Sequence, residues 1–489
     1  MNNNNNARHP ASLAVFCSTE VWERYGFYVV QTLLAIYLTT HFGWTDERIY
    51  AIVGSFTALT YLSPVVGGWI ADYLLGQKKS IYLGSTVLLF AYVLITFFQS
   101  EKLLPLSLAA IAVGTGLLKP NISSLLGNEY KINSPYRERG FTIFYMGITL
   151  GIILGTTIPS KLQLLFGWPA AFFSAAVGMV LALCFFYVGV RIYKIEDYEP
   201  HIIALPDVFK TTGLLCLTAL FACLVLMYPS LANIAFFVIF LISFGYIVLT
   251  ICVEEKRQSL LTIVIGMLCI ISIIFWTFYF QMFMSLTLFI SRVVEPKLFG
   301  INFPAPYYVS VQSVGMLIFG LLLTRNKRKL NQAESGYRTV NKFTGSIIVM
   351  VLAYIVITYV ANYSQSNNAY LNPLFVIPAY LLISIAELLL SPIGLAAITT
   401  LAHRQKVSTM MGIFFVSLGL GGFLSGKLAT LTALPIHSMS LMDTKIHYAN
   451  GFMKLLIILL IATLLSFLIN HLCRLTLKHY EYYQMREKQ

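Results

Sequence analysis

The chain has 489 residues, 58% of them hydrophobic and 11% charged, with a mean hydropathy of +0.76 and a formal net charge of +13. Soluble globular chains carry about 25% charged residues, so this one has too little polar surface to face water on all sides. Its basic excess does not point to nucleic acid: Lys and Arg fall in short loops between apolar stretches, where membrane topology places them.

Residues 1–12 form a polar, Asn-rich tail without the basic region, short apolar core and small-residue cleavage site of a signal peptide. The first apolar stretch is therefore expected to be kept as a span. Apolar stretches follow at 13–41, 49–75, 80–99, 103–127, 140–161, 168–190, 212–229, 231–252, 260–291, 306–324, 343–362, 373–401, 408–433 and 451–475. Each is near the roughly 20 residues needed to cross a bilayer, so about fourteen transmembrane helices are predicted. Alternate loops carry most of the basic residues: Lys78 and Lys79; Lys131, Arg137 and Arg139; Arg191, Lys194 and Lys210; Lys256 and Arg257; Arg325, Lys327, Arg328 and Lys329; Arg404 and Lys406; and the C-terminal tail. The positive-inside rule then puts both termini on the cytoplasmic side, and the compact loops point to a bacterial inner membrane. The segment 191–211, with Glu196, Asp197, Glu199 and Pro206, reads as a linker. Cys17, Cys184, Cys216, Cys223, Cys252, Cys269 and Cys473 lie in or beside apolar stretches without CxxC or Cys/His clustering, so free thiols are expected and no metal site.

Charges inside membrane spans are costly and mark function by default. Five stand out: Glu20, Glu23 and Arg24 in the first stretch, Lys119 in the fourth and Glu387 in the twelfth. Glu20, Glu23 and Arg24 are spaced i, i+3, i+4 and so share one helix face. That face must meet a cavity or partner charges, and Lys119 is the obvious partner for one carboxylate. Protonating such a carboxylate changes which buried ion pairs exist, which is the physical requirement for coupling a proton to a conformational change. The alternative is a static network that only fixes helix packing. Pro64, Pro120 and Pro392 interrupt spans and predict bends, either lining a cavity or serving packing alone. An enzyme is not expected: HExxH and GxSxG are absent, and the eight His residues lie in tails, loops or helix ends.

Six strings in order resemble one family. Glu20, Glu23, Arg24, Tyr25 and Tyr28 make an ExxERYxxY pattern. Gly67, Asp72, Gly76, Lys78 and Lys79 resemble the major facilitator loop after the second helix. Gly116, Lys119, Pro120 and Asn121 resemble a fourth-helix Lys-Pro signature. Phe141, Tyr145, Gly147, Thr149 and Gly151 resemble a fifth-helix FYxxINxG motif. Glu387, Ser391, Pro392 and Gly394 resemble a tenth-helix ELxxSPxG motif, and Met410, Met411, Gly412 and Phe414 the eleventh. Together these resemble the proton-dependent oligopeptide transporter (POT/PTR) family of the major facilitator superfamily, in particular its bacterial di/tripeptide permease branch.

The resemblance implies an all-α membrane protein of two six-helix bundles around a central cavity, with two inserted helices between them. The corresponding division is 13–190 for the first bundle, 191–259 for linker and inserted helices, 260–475 for the second bundle and 476–489 for a cytoplasmic tail. It implies proton-coupled import of di- and tripeptides by a protein that is not an enzyme, needs no cofactor beyond the proton gradient, and works as a monomer in the lipid bilayer. Glu20, Glu23, Arg24 and Lys119 are implied as the proton-coupling group. Lys119 is also implied to engage Glu23 and the peptide carboxylate, and Glu387 the peptide ammonium. Tyr28, Gln31, Tyr61, Asn121, Tyr145, Trp276, Tyr279, Gln312, Ser391 and Phe414 are implied as further substrate-binding positions. The chain also departs from the pattern: Gln31 stands where many members have Arg, Phe280 where the seventh helix carries an acid, Thr149 for Asn, Gln312-Ser313 for Asn-Pro, and Phe414 for Trp. A less charged pocket leaves another cargo open: an amino acid, a modified peptide or a nitrate-like anion.

Overall fold

The computed structural model describes residues 9–130, 135–197, 204–323, 332–366, 368–435 and 439–486. Most of the N-terminal tail, Lys131, Glu199 and the basic cluster Arg325, Lys327, Arg328 and Lys329 lie outside the described residues.

With few polar side chains to satisfy backbone groups in a bilayer, a spanning chain must pair its own N–H and C=O groups within helices. The helices are α1 (Leu13–His41), α2 (Asp46–Ile70), α3 (Gln77–Phe97), α4 (Leu104–Asn128), α5 (Pro135–Phe166), α6 (Trp168–Tyr193), α7 (Leu205–Met227) and α8 (Pro229–Val253). They continue as α9 (Lys256–Tyr279), α10 (Ser285–Val293), α11 (Pro306–Leu323), α12 (Gln332–Tyr363), α13 (Ile377–Leu401), α14 (Val407–Ala429) and α15 (Leu441–Arg486). Twelve helical segments among the described residues are long and apolar enough to cross a membrane; α9 and α10 count as one, Lys256–Val293. The shorter apolar α11 and the charge-bearing α1 bring the passages to the fourteen expected.

The chain forms two compact units. One holds the chain up to Tyr37 and Leu59–Tyr228; the other holds Leu38–Ala58 and the chain from Pro229 onward. In the first, α3 packs on α4 and α6, α5 on α6, and α7 on α4. In the second, α9 packs on α14 and α15, and α12 on α13 and α15, with α11 against α13. The apolar inserted helices divide: α7 belongs to the first unit and α8 to the second, against α9 and α14.

Three features depart from the expected segments. Residues Ala71–Leu75 form a π-helical turn at the end of α2, including Asp72 of the loop motif. The apolar stretch 260–291, which holds the seventh helix of the family pattern, breaks at Phe280–Phe283 into a 3-10 turn, where buried Gln281 donates to the Ser425 carbonyl at 2.8 Å and accepts from Ser285 at 2.5 Å. Third, α12 and α15 run well beyond their apolar stretches. At 1.5 Å per residue, the 46 residues of α15 extend to about 69 Å, more than twice a bilayer core of about 30 Å. Tyr337 donates to Glu481 across the two extensions at 3.3 Å, and Arg474, at the end of the α15 apolar stretch, donates to Asn341 at 2.6 Å. The stretch read as a tail after residue 475 is thus helical up to Arg486.

In the first unit, α5 presents Gly147, Gly151 and Gly155 at successive turns to the α1 backbone at Cys17, Val21 and Tyr25. Such small residues let helix backbones approach closely in membranes. A Cβ at Gly151 would run into the Val21 carbonyl and sit 2.8 Å from the Arg24 Cβ. Gly151→Leu is therefore expected to overpack the seam, destabilising by roughly 1–3 kcal/mol and lowering the thermal midpoint of the purified protein. An unchanged midpoint would mean that this contact does not hold α1 in place.

Candidate functional site

The α1–α5 seam fixes a group of charges. Glu20, Glu23 and Arg24 are all buried on α1. Arg24 grips Glu23 with two nitrogens, Nε to Oε2 and Nη2 to Oε1 at 2.6 Å. It faces Glu20 Oε1 at 3.5 Å, one turn earlier. The second Glu20 oxygen is buried without a hydrogen-bond partner among the described residues. The guanidinium also lies over the Phe27 ring at 4.9 Å. One cation thus serves two carboxylates in an apolar setting, where removing one member of a pair typically costs about 3–5 kcal/mol.

Lys119 is placed differently from the expectation. The Glu23 oxygens are taken by Arg24, and Lys119 makes no ion pair within 4 Å among the described residues. Its ammonium instead rests 5.0 Å from the centre of the Tyr61 ring, a cation–π contact. Arg24, the residue after Glu23 on α1, closes its guanidinium fork on that carboxylate. Asn121, two residues along from Lys119, donates to the Leu117 carbonyl at 2.6 Å and to the Gly67 carbonyl at 3.3 Å. Its amide N–H groups are therefore committed to the α2–α4 crossing. Tyr28 is partly buried, Gln31 buried and Tyr145 exposed.

The second unit holds Glu387 on α13, partly buried one turn before Ser391. Gln312 of α11 donates Nε2 to Glu387 Oε2 at 2.6 Å, and Tyr279 of α9 hydrogen-bonds to the same carboxylate. Ser313 donates to the Gln312 Oε1 at 3.5 Å, and Ser384 donates to the Gln312 main-chain carbonyl at 2.7 Å. Glu387 is thus held by neutral donors, with no ion pair among the described residues. Beside it Trp276 stacks on Phe280 at 5.3 Å and meets Tyr279 edge-on at 4.8 Å. Phe280 therefore fills the acidic position of the family pattern with an aromatic stack. Phe414 is buried against Gly394.

Sequence reasoning missed one cluster. Asp46, fully buried at the start of α2, receives two bonds of 2.7 Å from Arg292 at the end of α10 and a third of 3.0 Å from the Leu434 N–H. Arg292 also donates to the Tyr448 hydroxyl at 2.8 Å. Both charges lie at span ends, where hydropathy predicts a solvated residue, and no local spacing links positions so far apart.

The POT family model matches residues 78–445, three quarters of the chain. The chain belongs to the POT family. Among curated relatives, dipeptide and tripeptide permease A of Yersinia pestis is 29% identical over 479 residues, covering 96% of this chain and 94% of its own. The protein of that name from Chromobacterium violaceum is 30% identical over 457 residues, covering 92% and 91%. Among solved structures, tetrameric PepTSo2 matches at a TM-score of 0.82 with 25% identity, covering 95% of this chain and 98% of that one. A bacterial homologue of the human drug peptide transporters PepT1 and PepT2 matches at 0.81 with 24% identity, covering 95% and 99%. The POT fold is thus that of the major facilitator type, and this member is a multi-pass membrane protein and not an enzyme.

Proposed function

We propose that this POT member couples proton movement to the uptake of di- and tripeptides by alternating access across a bacterial inner membrane. The observation that carries the reading is the buried group on α1, in which one Arg24 serves both Glu20 and Glu23. A proton arriving on Glu23 turns its ion pair with Arg24 into a weaker contact between charge and dipole. The helix packing that depends on the pair then becomes responsive to protons. A zwitterionic peptide needs a cation for one end and an anion for the other. Lys119, resting on Tyr61, takes the carboxylate, and Glu387, held by Gln312 and Tyr279, takes the ammonium. Tyr28, Gln31, Tyr145, Trp276, Ser391 and Phe414 contribute walls and polar contacts that tolerate varied side chains. Asn121 supports this site through the α2–α4 crossing. On this reading both termini are cytoplasmic, the division into 13–190, 191–259 and 260–475 is the working one, and a monomer transports with the proton gradient as sole driving force.

Labelled dialanine uptake into proteoliposomes tests it. Saturable uptake that rises with an inward proton gradient and is competed by tripeptides is the expected result. The second reading, another small solute, is favoured by Phe280 replacing an acid. Folded protein that ignores dialanine but takes up an amino acid or nitrate would replace the first reading with it.

A further inference from the structure

Between α10 and α11 the chain makes a small β-hairpin. Lys297 pairs with Asn302 and Leu298 with Ile301, around a two-residue turn at Phe299 and Gly300. Both turn residues have positive φ, +50° and +81°. Such turns favour Asn-Gly or Gly-Gly, because a bulky side chain is strained there. A Phe held in that conformation invites a functional explanation. No contact among the described residues accounts for it: Phe299 is 85% exposed, and Ile301, two residues on, is 72% exposed.

The base of the hairpin is fixed. The Leu371 N–H donates to the Val293 carbonyl and Glu295 N–H to the Leu371 carbonyl, both at 2.9 Å. The Phe303 N–H closes on the Pro296 carbonyl at 2.8 Å, and Tyr308 donates to the Pro373 carbonyl at 3.2 Å. Strand one of the hairpin packs on the turn Pro373–Phe375. Phe375 in turn meets Tyr363 at 5.2 Å, and Tyr363 stacks with Tyr359.

Those tyrosines end an exposed stripe on α12. Ile348, Leu352, Ile355, Tyr359 and Tyr363 recur at spacings of four and three, so they share one face, and all are exposed. In a multi-pass membrane protein an exposed aliphatic stripe faces lipid. Its change to tyrosine marks the border with water, where aromatic residues concentrate. The hairpin is therefore bolted to the protein beside that border, with its apolar tip presented and exposed Lys297 next to it.

We infer that the hairpin Lys297–Asn302 is an interfacial membrane anchor, with Phe299 and Ile301 inserted between lipid headgroups and acyl chains and Lys297 directed to lipid phosphates. The combination of apolar tip and flanking base is the chemistry that interfacial segments use. Rigid placement by Leu371 and Pro373 means that lipid contact at the tip is transmitted to α10, α11 and α13.

The test uses full-length protein in liposomes, with the non-buried Cys17, Cys184, Cys216, Cys223 and Cys252 replaced by serine and a nitroxide on Phe299→Cys. Collisions with oxygen, which concentrates in lipid, are expected to exceed those with a water-soluble nickel chelate several-fold. Ile301→Cys should report the same order, which guards against local misfolding of the first variant. A label swept mainly by the nickel chelate places the tip in water and overturns the inference. A label shielded from both reagents also overturns it, by placing the tip against protein, whether this chain or a second copy.

Discussion

Glu23→Gln is expected to reduce gradient-driven accumulation of dialanine to the level of liposomes without protein, while exchange of internal for external peptide continues. The substitution keeps the size of the side chain and one acceptor oxygen for Arg24, so the seam between α1 and α5 should survive. What it removes is the exchangeable proton and the charge that balances the guanidinium. Arg24 then has only Glu20, whose nearer oxygen is 3.5 Å away. Exchange needs the protein to turn over with cargo bound on both legs, with no net proton transfer. Uphill accumulation by the variant would remove Glu23 from the coupling group and shift attention to Glu20. Loss of exchange as well, with an intact thermal midpoint, would make Glu23 a residue needed for movement itself.

Glu387→Gln should weaken binding of peptides with a free amino terminus by about 1.5–3 kcal/mol, the range for a hydrogen bond to a charged group, or roughly 10- to 150-fold in affinity. Gln312 can still donate to the amide oxygen, so the local packing is retained. N-acetyl dialanine, which lacks the ammonium, should bind the two proteins almost equally. The readout is the ratio of inhibition constants for dialanine and its acetylated form. An equal loss for both ligands would show that Glu387 acts on packing and does not meet the amine.

Hydropathy made the fourteen passages legible because a bilayer excludes charge so strongly that the few intramembrane charges, Glu20 to Glu387, stood out by contrast. The same rule hid other features. The apolar stretches of α12 and α15 end where charge begins, yet both helices continue, joined by Asn341 with Arg474 at the edge of the apolar zone and by Tyr337 with Glu481 beyond it. Those pairs are over a hundred residues apart, and no local period announces them. The break at Phe280–Phe283 has no Pro or Gly to signal it; it is carried by Gln281 reaching across to α14. The hairpin escaped notice because Phe-Gly is an unusual turn. At the candidate site, residue types and spacing identified the charges on α1 but not their partnership. On paper Lys119 is the obvious partner for one carboxylate, whereas in the structure the fork of Arg24 takes Glu23.

The charges on α1 and α4 have an electrical consequence. Glu20, Glu23, Arg24 and Lys119 are two acids and two bases, and with all four ionised they sum to no charge. One proton leaves the group with a single positive charge, and a bound peptide, neutral as a zwitterion, does not change the total that must cross. Each inward turn on the proposed cycle therefore displaces at least one positive charge. A membrane voltage of 100 mV then contributes about 2.3 kcal/mol per cycle, independently of the difference in acidity. On that cycle the voltage would act through the α1 group, since Phe280 leaves the seventh-helix position of the second unit without a carboxylate.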